Sequence, residues 1–142
     1  MNLVLDASMT LAWQFRRVDP AEVFLAAKAL EELSSVQAIV PAIWYTEIVS
    51  GLLRGERQGA IPPTQTAFFL NELSHTVIIA DEVSPRTRQS SVLDLARIYG
   101  LTAYDATYLE LALRRAAVLA TFDRKLAEAA RSAGVRVFGD PA

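Results

Sequence analysis

The 142-residue chain contains no cysteine and only one histidine, His75. Without cysteine it can form neither a disulfide nor a thiolate metal site, which fits a reducing compartment. One histidine also rules out a pair of imidazole ligands. Any metal bound by this sequence would therefore have oxygen ligands, and these suit Mg²⁺ or Mn²⁺ rather than Zn²⁺.

The chain also lacks a strong net charge and a long apolar run. Its formal net charge is −2, so it exerts no overall attraction on nucleic acid, and contact with RNA would have to come from local basic patches. No run is long or apolar enough to span a bilayer, and the N-terminus has neither the basic nor the apolar region of a signal peptide. We expect a cytoplasmic protein with no membrane partner.

Hydrophobic residues make up 52% of the sequence, enough for a sizeable core, and the length suits one domain spanning residues 1–142. Short apolar runs alternate with helical periodicity. This alternation predicts an α/β fold with a central parallel sheet of about five strands and helices on both faces. The predicted strands are residues 2–5, 36–40, 76–80, 118–121 and 135–138. The predicted helices are residues 7–15, 21–33, one from Pro41 to a turn-rich break at 55–63, 64–73, one from Ser84 to Gly100, one entered at 102–105, and 123–132.

Four carboxylates stand out because of where they fall in this pattern. Asp6 follows the first strand, Asp123 follows the strand at 118–121, and Asp105 lies at a helix N-terminus. Glu47 lies on the flank of its helix, beside an apolar face predicted to consist of Tyr45, Ile48, Val49 and Leu52. Ligands of open α/β sheets bind in the crevice beyond the carboxyl ends of the strands.

Each acid also has a structural interpretation. Asp6 and Asp123 are plausible N-caps, and Asp105 forms a capping-box pattern with Thr102. Glu47 could be a solvated helix residue. Grouped carboxylates, by contrast, repel one another, and such a group is tolerated only if some members are protonated or a cation binds.

The four acids lie in LVLDAS, WYTEI, LTAYDATYLELA and LATFD, and these segments resemble the acidic quartet of the PIN domain, most closely that of VapC-like toxins of toxin–antitoxin pairs. The resemblance covers essentially the whole chain and supplies a strand order that places Asp6 beside Asp123. It implies a metal-dependent endoribonuclease acting on single-stranded RNA, with Mg²⁺ (or Mn²⁺) as cofactor. It also implies a cognate small antitoxin and a homodimer that assembles into a larger toxin–antitoxin complex. Surplus apolar residues in the helices that flank the sheet support the homodimer: Trp13, Phe15, Phe68 and Phe69. The implied catalytic and metal-binding residues are Asp6, Glu47, Asp105 and Asp123, with Ser8 and Thr121 as supporting polar residues.

Within the quartet, the resemblance implies that the three aspartates bind the metal directly or through water. Glu47 would complete the ligand set or orient the attacking water. The basic residues that could hold the RNA backbone are Arg16, Arg17, Arg54, Arg57, Arg124 and Lys125.

Two other functions are compatible with parts of the pattern. A catalytically silent PIN-like scaffold would only bind a partner, and the intact quartet counts against it. A phosphoacceptor signalling domain is also doubly wound, but it needs a lysine at the end of its last strand. Residues 135–139 contain none, and Glu47 and Asp123 would then have no role.

Overall fold

A sheet of four parallel strands forms the centre of the computed structural model, which describes residues 1–141. The strands are β1 (Asn2–Leu5), β2 (Gln37–Val40), β3 (Ile78–Ala80) and β4 (Val118–Ala120). They lie in the order β3-β2-β1-β4. The chain therefore adds β2 and β3 on one side of β1 and returns to place β4 on the other side, which makes the boundary between β1 and β4 the switch point of the sheet.

Helices connect the strands and cover the sheet. They are α1 (Ala7–Leu11), α2 (Pro20–Glu32), α3 (Ile43–Arg57), α4 (Pro63–Ser74), α5 (Pro85–Tyr99), α6 (Ala103–Arg114) and α7 (Arg124–Ser132). The predicted α/β class with a parallel, helix-covered sheet is confirmed. Within residues 1–141, no helix is both long and apolar enough to cross a membrane.

Local sequence explains where several helices begin and end. Asp19 precedes Pro20 and accepts a hydrogen bond from the backbone N–H of Ala21 (2.9 Å), as an N-cap before a first-turn proline should. At the C-terminal end of another helix, α5, Gly100 has a left-handed backbone (φ 63°) and closes the helix.

Three predicted elements differ from the structure by more than two residues. Residues 135–138 form only an isolated bridge between Leu119 and Val137 rather than a fifth strand. The Val135 N–H closes the end of α7 on the Ala130 carbonyl (2.8 Å), and the chain turns at Gly139 (φ 96°), so little of the segment is left to pair. The first helix ends at Leu11, and not at Phe15. Helix α3 runs through Gly55, where a break was predicted. A Cβ at that glycine would lie 2.4 Å from the Phe15 ring, so the glycine permits close packing and does not end the helix.

The core lies between the sheet and its covering helices. Leu3, Leu5 and Leu119 of the sheet are fully buried, as are Tyr108 and Leu109 of α6. The buried run in α6 is continuous from Tyr108 to Ala112, so this part of the helix is enclosed by the fold on all sides.

The orientation of α3 differs from the predicted one. Tyr45 and Val49 were expected on its apolar face, yet each is 46% exposed. The buried stripe is instead Trp44, Ile48 and Leu52, at intervals of four residues. Trp44 decides the orientation, since its large ring is buried and its indole N–H donates to the Thr10 hydroxyl (3.3 Å).

Four charged side chains join β3, α5 and α6. The buried Arg88 of α5 lies 3.4 Å from Asp81 and 3.8 Å from Glu110, in each case between a guanidinium nitrogen and a carboxylate oxygen. Arg114 donates two hydrogen bonds to Asp81 (3.1 and 2.6 Å) and two to Glu110 (2.8 and 3.1 Å). Burial opposes ionisation of Asp81 more than any one contact favours it. The hydrogen bonds from Arg114 and the Val83 backbone, together with the charges of Arg114 and Arg88, outweigh burial and lower the pKa of Asp81.

We expect Arg88→Ala to destabilise the protein by about 3 kcal/mol, because it leaves two buried carboxylates with one cation and opens a cavity. Arg88→Met should cost less, since methionine refills the space. The matched control is Arg131→Ala, which removes a doubly hydrogen-bonded but exposed pair with Asp140 and should change stability little. Urea denaturation of the three variants measures the differences. Equal losses for Arg88→Ala and Arg131→Ala would contradict a structural role for the buried network.

Candidate active site beyond the carboxyl ends of β1 and β4

The ends of β1 and β4 meet at one edge of the sheet, and a cavity of about 530 Å³ opens there. Leu5 pairs with Ala120, and the backbone N–H of Asp6 donates to the Ala120 carbonyl (2.9 Å). Parallel pairing therefore brings two segments 115 positions apart into contact. All four acids singled out in the sequence line this cavity, together with Ser8: Asp6, Glu47, Asp105 and Asp123.

Asp6 is buried and held by two hydroxyls. Its Oδ2 accepts hydrogen bonds from Ser8 (2.8 Å) and Thr121 (2.6 Å). The same hydroxyls accept from the backbone N–H groups of Phe122 (3.0 Å) and Asp123 (3.0 Å), so they fix the turn after β4 as well. Asp6 makes no side-chain cap bond to α1, which leaves the N-cap interpretation without support.

Asp123 serves its helix and also lines the cavity. Its Oδ1 accepts from the backbone N–H of Leu126 (2.9 Å), which is the hydrogen bond of an N-cap. The structural interpretation of this residue is therefore correct, but it engages only one carboxylate oxygen. The Asp123 side chain can therefore cap α7 and line the cavity at the same time.

Asp105 lies in the first turn of α6, where the capping box is only half formed. The Thr102 hydroxyl accepts from the backbone N–H of Asp105 (3.1 Å). Within residues 1–141, the Asp105 carboxylate makes no reciprocal hydrogen bond to the backbone of Thr102. Capping is thus performed by Thr102, and it does not explain the acid at this position.

Glu47 is half-buried, and the Tyr108 hydroxyl donates to its Oε1 (2.6 Å). It is therefore an oriented side chain and not a freely solvated helix residue. Sequence reasoning missed Tyr108. The available signal was its position three residues after Asp105, which places both side chains on neighbouring parts of one helix face.

Burial and mutual repulsion disfavour the ionised forms of three of the acids. Burial raises the pKa of Asp6, although the hydrogen bonds from Thr121 and Ser8 oppose this. Burial also raises the pKa of Glu47, against the hydrogen bond from Tyr108. The pKa of Asp105 is raised to about 6, first by burial and then by the charges of Asp123, Asp6 and Glu47. The cavity thus concentrates negative charge that the protein does not itself neutralise.

The donor set fits a hard divalent cation in its chemistry. Four carboxylates and the hydroxyl of Ser8 offer only oxygen, as Mg²⁺ and Mn²⁺ require. A cation would also relieve the repulsion among the acids. As they stand, however, no three acidic or imidazole groups among the described residues are arranged to hold one ion. Shared binding of an ion by three of them would require their side chains to move together.

The basic candidates divide into two groups. Arg17 and Arg54 line the same cavity as the acids, whereas the other four candidates do not: Arg16, Arg57, Arg124 and Lys125. Arg17 is held by Glu22 (3.3 Å) and lies over the Phe122 ring, 4.6 Å from its centroid. Arg54 makes no ion pair or side-chain hydrogen bond within residues 1–141.

Comparison with known proteins agrees with this arrangement. The family model described as "PIN domain" matches residues 3–132. The chain belongs to the PIN domain family. These domains form a nuclease superfamily whose members generally use divalent metals. The resemblance to the PIN domain is confirmed, and membership of this family counts against the phosphoacceptor interpretation.

Two solved structures share the fold of this PIN domain. PAE2754 from Pyrobaculum aerophilum is 23% identical, with a TM-score of 0.69 over 91% of this chain and 84% of that one. FitAcB from Neisseria gonorrhoeae is 18% identical, with a TM-score of 0.60 over 96% of both chains. At these identities the likeness concerns the fold alone. No protein of curated function matches the chain.

We expect Asp105→Asn to leave the metal-free protein as stable as the parent or more stable, since asparagine removes one repelling charge at nearly the same volume. A pKa raised to about 6 means that the folded state holds the Asp105 proton more tightly than the unfolded state does. This contribution to stability is fully present below about pH 4 and is lost as the pH rises through about 6. The advantage of the variant should therefore grow across this window.

Thermal melts in EDTA between pH 4 and pH 7 provide the measurement. Asp94→Asn, which alters an exposed acid of α5, is the control and should show no such trend. A melting temperature of Asp105→Asn below that of the parent at pH 7 would indicate that Asp105 has a purely structural role.

Proposed function

We propose that this PIN domain is a metal-dependent endoribonuclease that cleaves phosphodiester bonds in single-stranded RNA and acts as the cytoplasmic toxin of a toxin–antitoxin pair. One observation carries the nuclease assignment. Four carboxylates from four separate segments of the chain line one cavity, in a member of a nuclease superfamily. Two of these segments meet only because β1 pairs with β4.

The residues proposed to hold Mg²⁺ (or Mn²⁺) are Asp6, Asp105 and Asp123, with Glu47 completing the set or orienting water. A divalent cation bound there would lower the pKa of a water molecule and offset negative charge on the phosphodiester. Asp6 is suited to its role because the hydroxyls of Ser8 and Thr121 fix its orientation. Neither hydroxyl carries a charge, so the two hydrogen bonds do not cancel the negative charge that would attract a cation to Asp6.

Glu47 is suited to orienting a water molecule. Tyr108 donates to its Oε1 and leaves Oε2 available to accept a hydrogen bond from water. Burial, followed by the nearby charge of Asp6, raises the pKa of the Tyr108 phenol, so this group stays protonated and acts only as a donor to Glu47. Tyr108 is thus a positioning residue for Glu47.

The toxin assignment rests on the resemblance of the four motifs to those of VapC-like toxins. A small antitoxin is proposed to cover the cavity. Exposed apolar side chains give separate support for the homodimer. Most of the residues first expected at the interface, however, pack inside the protein. Trp13 and Phe15 pack within the chain and Phe69 is buried, whereas Phe68 is 58% exposed.

We expect the purified protein to cleave single-stranded RNA with Mg²⁺ or Mn²⁺ and to lose all cleavage in EDTA. Glu47→Gln and Asp105→Asn should each lower the rate by about 10²-fold or more, the scale of a lost acid–base or metal-binding group. Asp94→Asn should cleave as the parent does. Gel electrophoresis of a labelled RNA measures the rates.

Undiminished cleavage in EDTA would contradict the metal requirement. A folded parent protein that binds an antitoxin-like partner but cleaves no RNA with either cation would identify a silent scaffold instead. Thermal melts add a check that does not depend on turnover. Mg²⁺ should raise the melting temperature of the parent more than that of Asp105→Asn, because a ligand of the folded state stabilises it in proportion to its binding.

The proposed homodimer is expected to use the groove between α3 and α4, whose walls include the exposed side chains of Tyr45, Val49 and Leu70. Leu70→Asp should convert a dimer into a monomer, because it buries a charge at the contact. Ile98→Asp alters a side chain that is 70% exposed on α5 and should leave the dimer intact. Light scattering at micromolar concentration measures the mass. A monomeric parent would contradict the dimer.

A further inference from the structure

The cavity that contains the four carboxylates has a second, chemically different end. Beyond the acids its wall becomes apolar, where Leu11 and Phe15 face Gly51 and Gly55 of α3. Toward the C-terminal end of α3 the lining becomes basic and polar, where it includes Arg54 and Gln58. Arg17, the other arginine of the lining, packs on the ring of Phe122 next to Asp123 and therefore lies near the acids.

Helix α3 sets the distance between the two ends. Positions 47, 51, 54 and 58 all line the cavity and follow one another at steps of four, three and four, so they form one stripe along the helix. At a rise of ~1.5 Å per residue, Arg54 lies ~10 Å along the axis from Glu47. At ~3.4 Å per stacked nucleotide, this distance is about three nucleotides, and fewer for an extended strand.

We propose that Arg54 forms a phosphate-binding subsite, which holds a backbone phosphate of the RNA strand one to three nucleotides from the bond that the carboxylates cleave. The subsite rests on the proposed function. It adds the direction of the bound RNA, since the strand would lie along α3. The uncharged wall between the two ends would contact the intervening ribose and base.

Arg54 differs from the other basic candidates in two respects. It lines the cavity that holds the acids, and within residues 1–141 it has no carboxylate partner. Arg17 shares the first property, but Glu22 and the Phe122 ring already engage it. Arg57 is an exposed arginine one turn further along the same helix, and it does not line the cavity. It is therefore the matched control.

The test measures binding, with cleavage slowed by Glu47→Gln in all proteins. Fluorescence anisotropy follows the binding of a short single-stranded RNA in Mg²⁺ as the salt concentration is raised. Arg54→Ala should weaken binding about tenfold, the effect of one charged hydrogen-bonded contact. It should also reduce the slope of log K against log salt by about 0.7. Arg57→Ala should change neither value appreciably, and Arg54→Lys should keep the slope.

A single-stranded DNA of the same sequence identifies the group that Arg54 contacts. A phosphate contact does not involve the 2′-hydroxyl, so Arg54→Ala should weaken the binding of DNA by the same factor as the binding of RNA. A loss confined to RNA would overturn the phosphate assignment. Equal effects of Arg54→Ala and Arg57→Ala, or no binding at all, would overturn the subsite.

These outcomes are separable from the fate of the proposed function. Cleavage by the parent together with equal effects at Arg54 and Arg57 would leave the nuclease and remove the subsite. Binding that depends on Arg54, in a parent that does not cleave, would leave a phosphate-binding groove and remove the nuclease.

Discussion

The parallel pairing of β1 with β4 is the contact on which the candidate site depends. It is formed by three residue pairs and the hydrogen bond from the Asp6 backbone to Ala120, yet it closes a loop of more than a hundred residues. The hydroxyls of Ser8 and Thr121 add side-chain hydrogen bonds across the same boundary. Every helix from α1 to α6 lies in the loop that this pairing closes. Non-local pairings of this kind are slow to form, because the entropy of loop closure opposes them.

The alternation of strands and helices was readable from the sequence because each element has a local signature. Short apolar runs gave the strands, and Asp19-Pro20, Ser84-Pro85 and Gly100 gave helix ends whose cap geometry the structure contains. The errors have long-range causes. Gly55 suggested a break, but its lack of a side chain instead makes room for the Phe15 ring, which comes from another part of the chain. Likewise, burial of the Trp44 ring and its bond to Thr10 set the orientation of α3, and no local pattern contains that information.

The candidate site was predictable in its acids and in the two hydroxyls that hold Asp6, those of Ser8 and Thr121, but not in the rest of its surroundings. The positions of Asp6 and Asp123 after two strands, and the resemblance of the motifs, were sufficient to group the four carboxylates. The tyrosine that holds Glu47 was not predicted, because a buried Tyr108 in an apolar helix has the same sequence signature as any core residue. The basic residues could not be ranked either, since lining of the cavity by Arg54 and not by Arg57 depends on how α3 packs.

The same fold handles buried carboxylates in two opposite ways. Asp81 and Glu110 are paired with Arg88 and Arg114, so their charge is neutralised inside the protein and the network holds β3, α5 and α6 together. The carboxylates of the cavity receive hydroxyl and backbone donors instead, such as Tyr108 for Glu47. A hydroxyl orients a carboxylate without cancelling its charge, whereas an arginine does both. An arginine paired with one of these carboxylates would neutralise its charge and so weaken its attraction for a cation. Burial, and after it the charges of the neighbouring acids, raises the pKa of Asp105. The proposed metal would relieve both effects, and the metal-free fold tolerates them because the buried ion pairs and the apolar core stabilise the rest of the molecule.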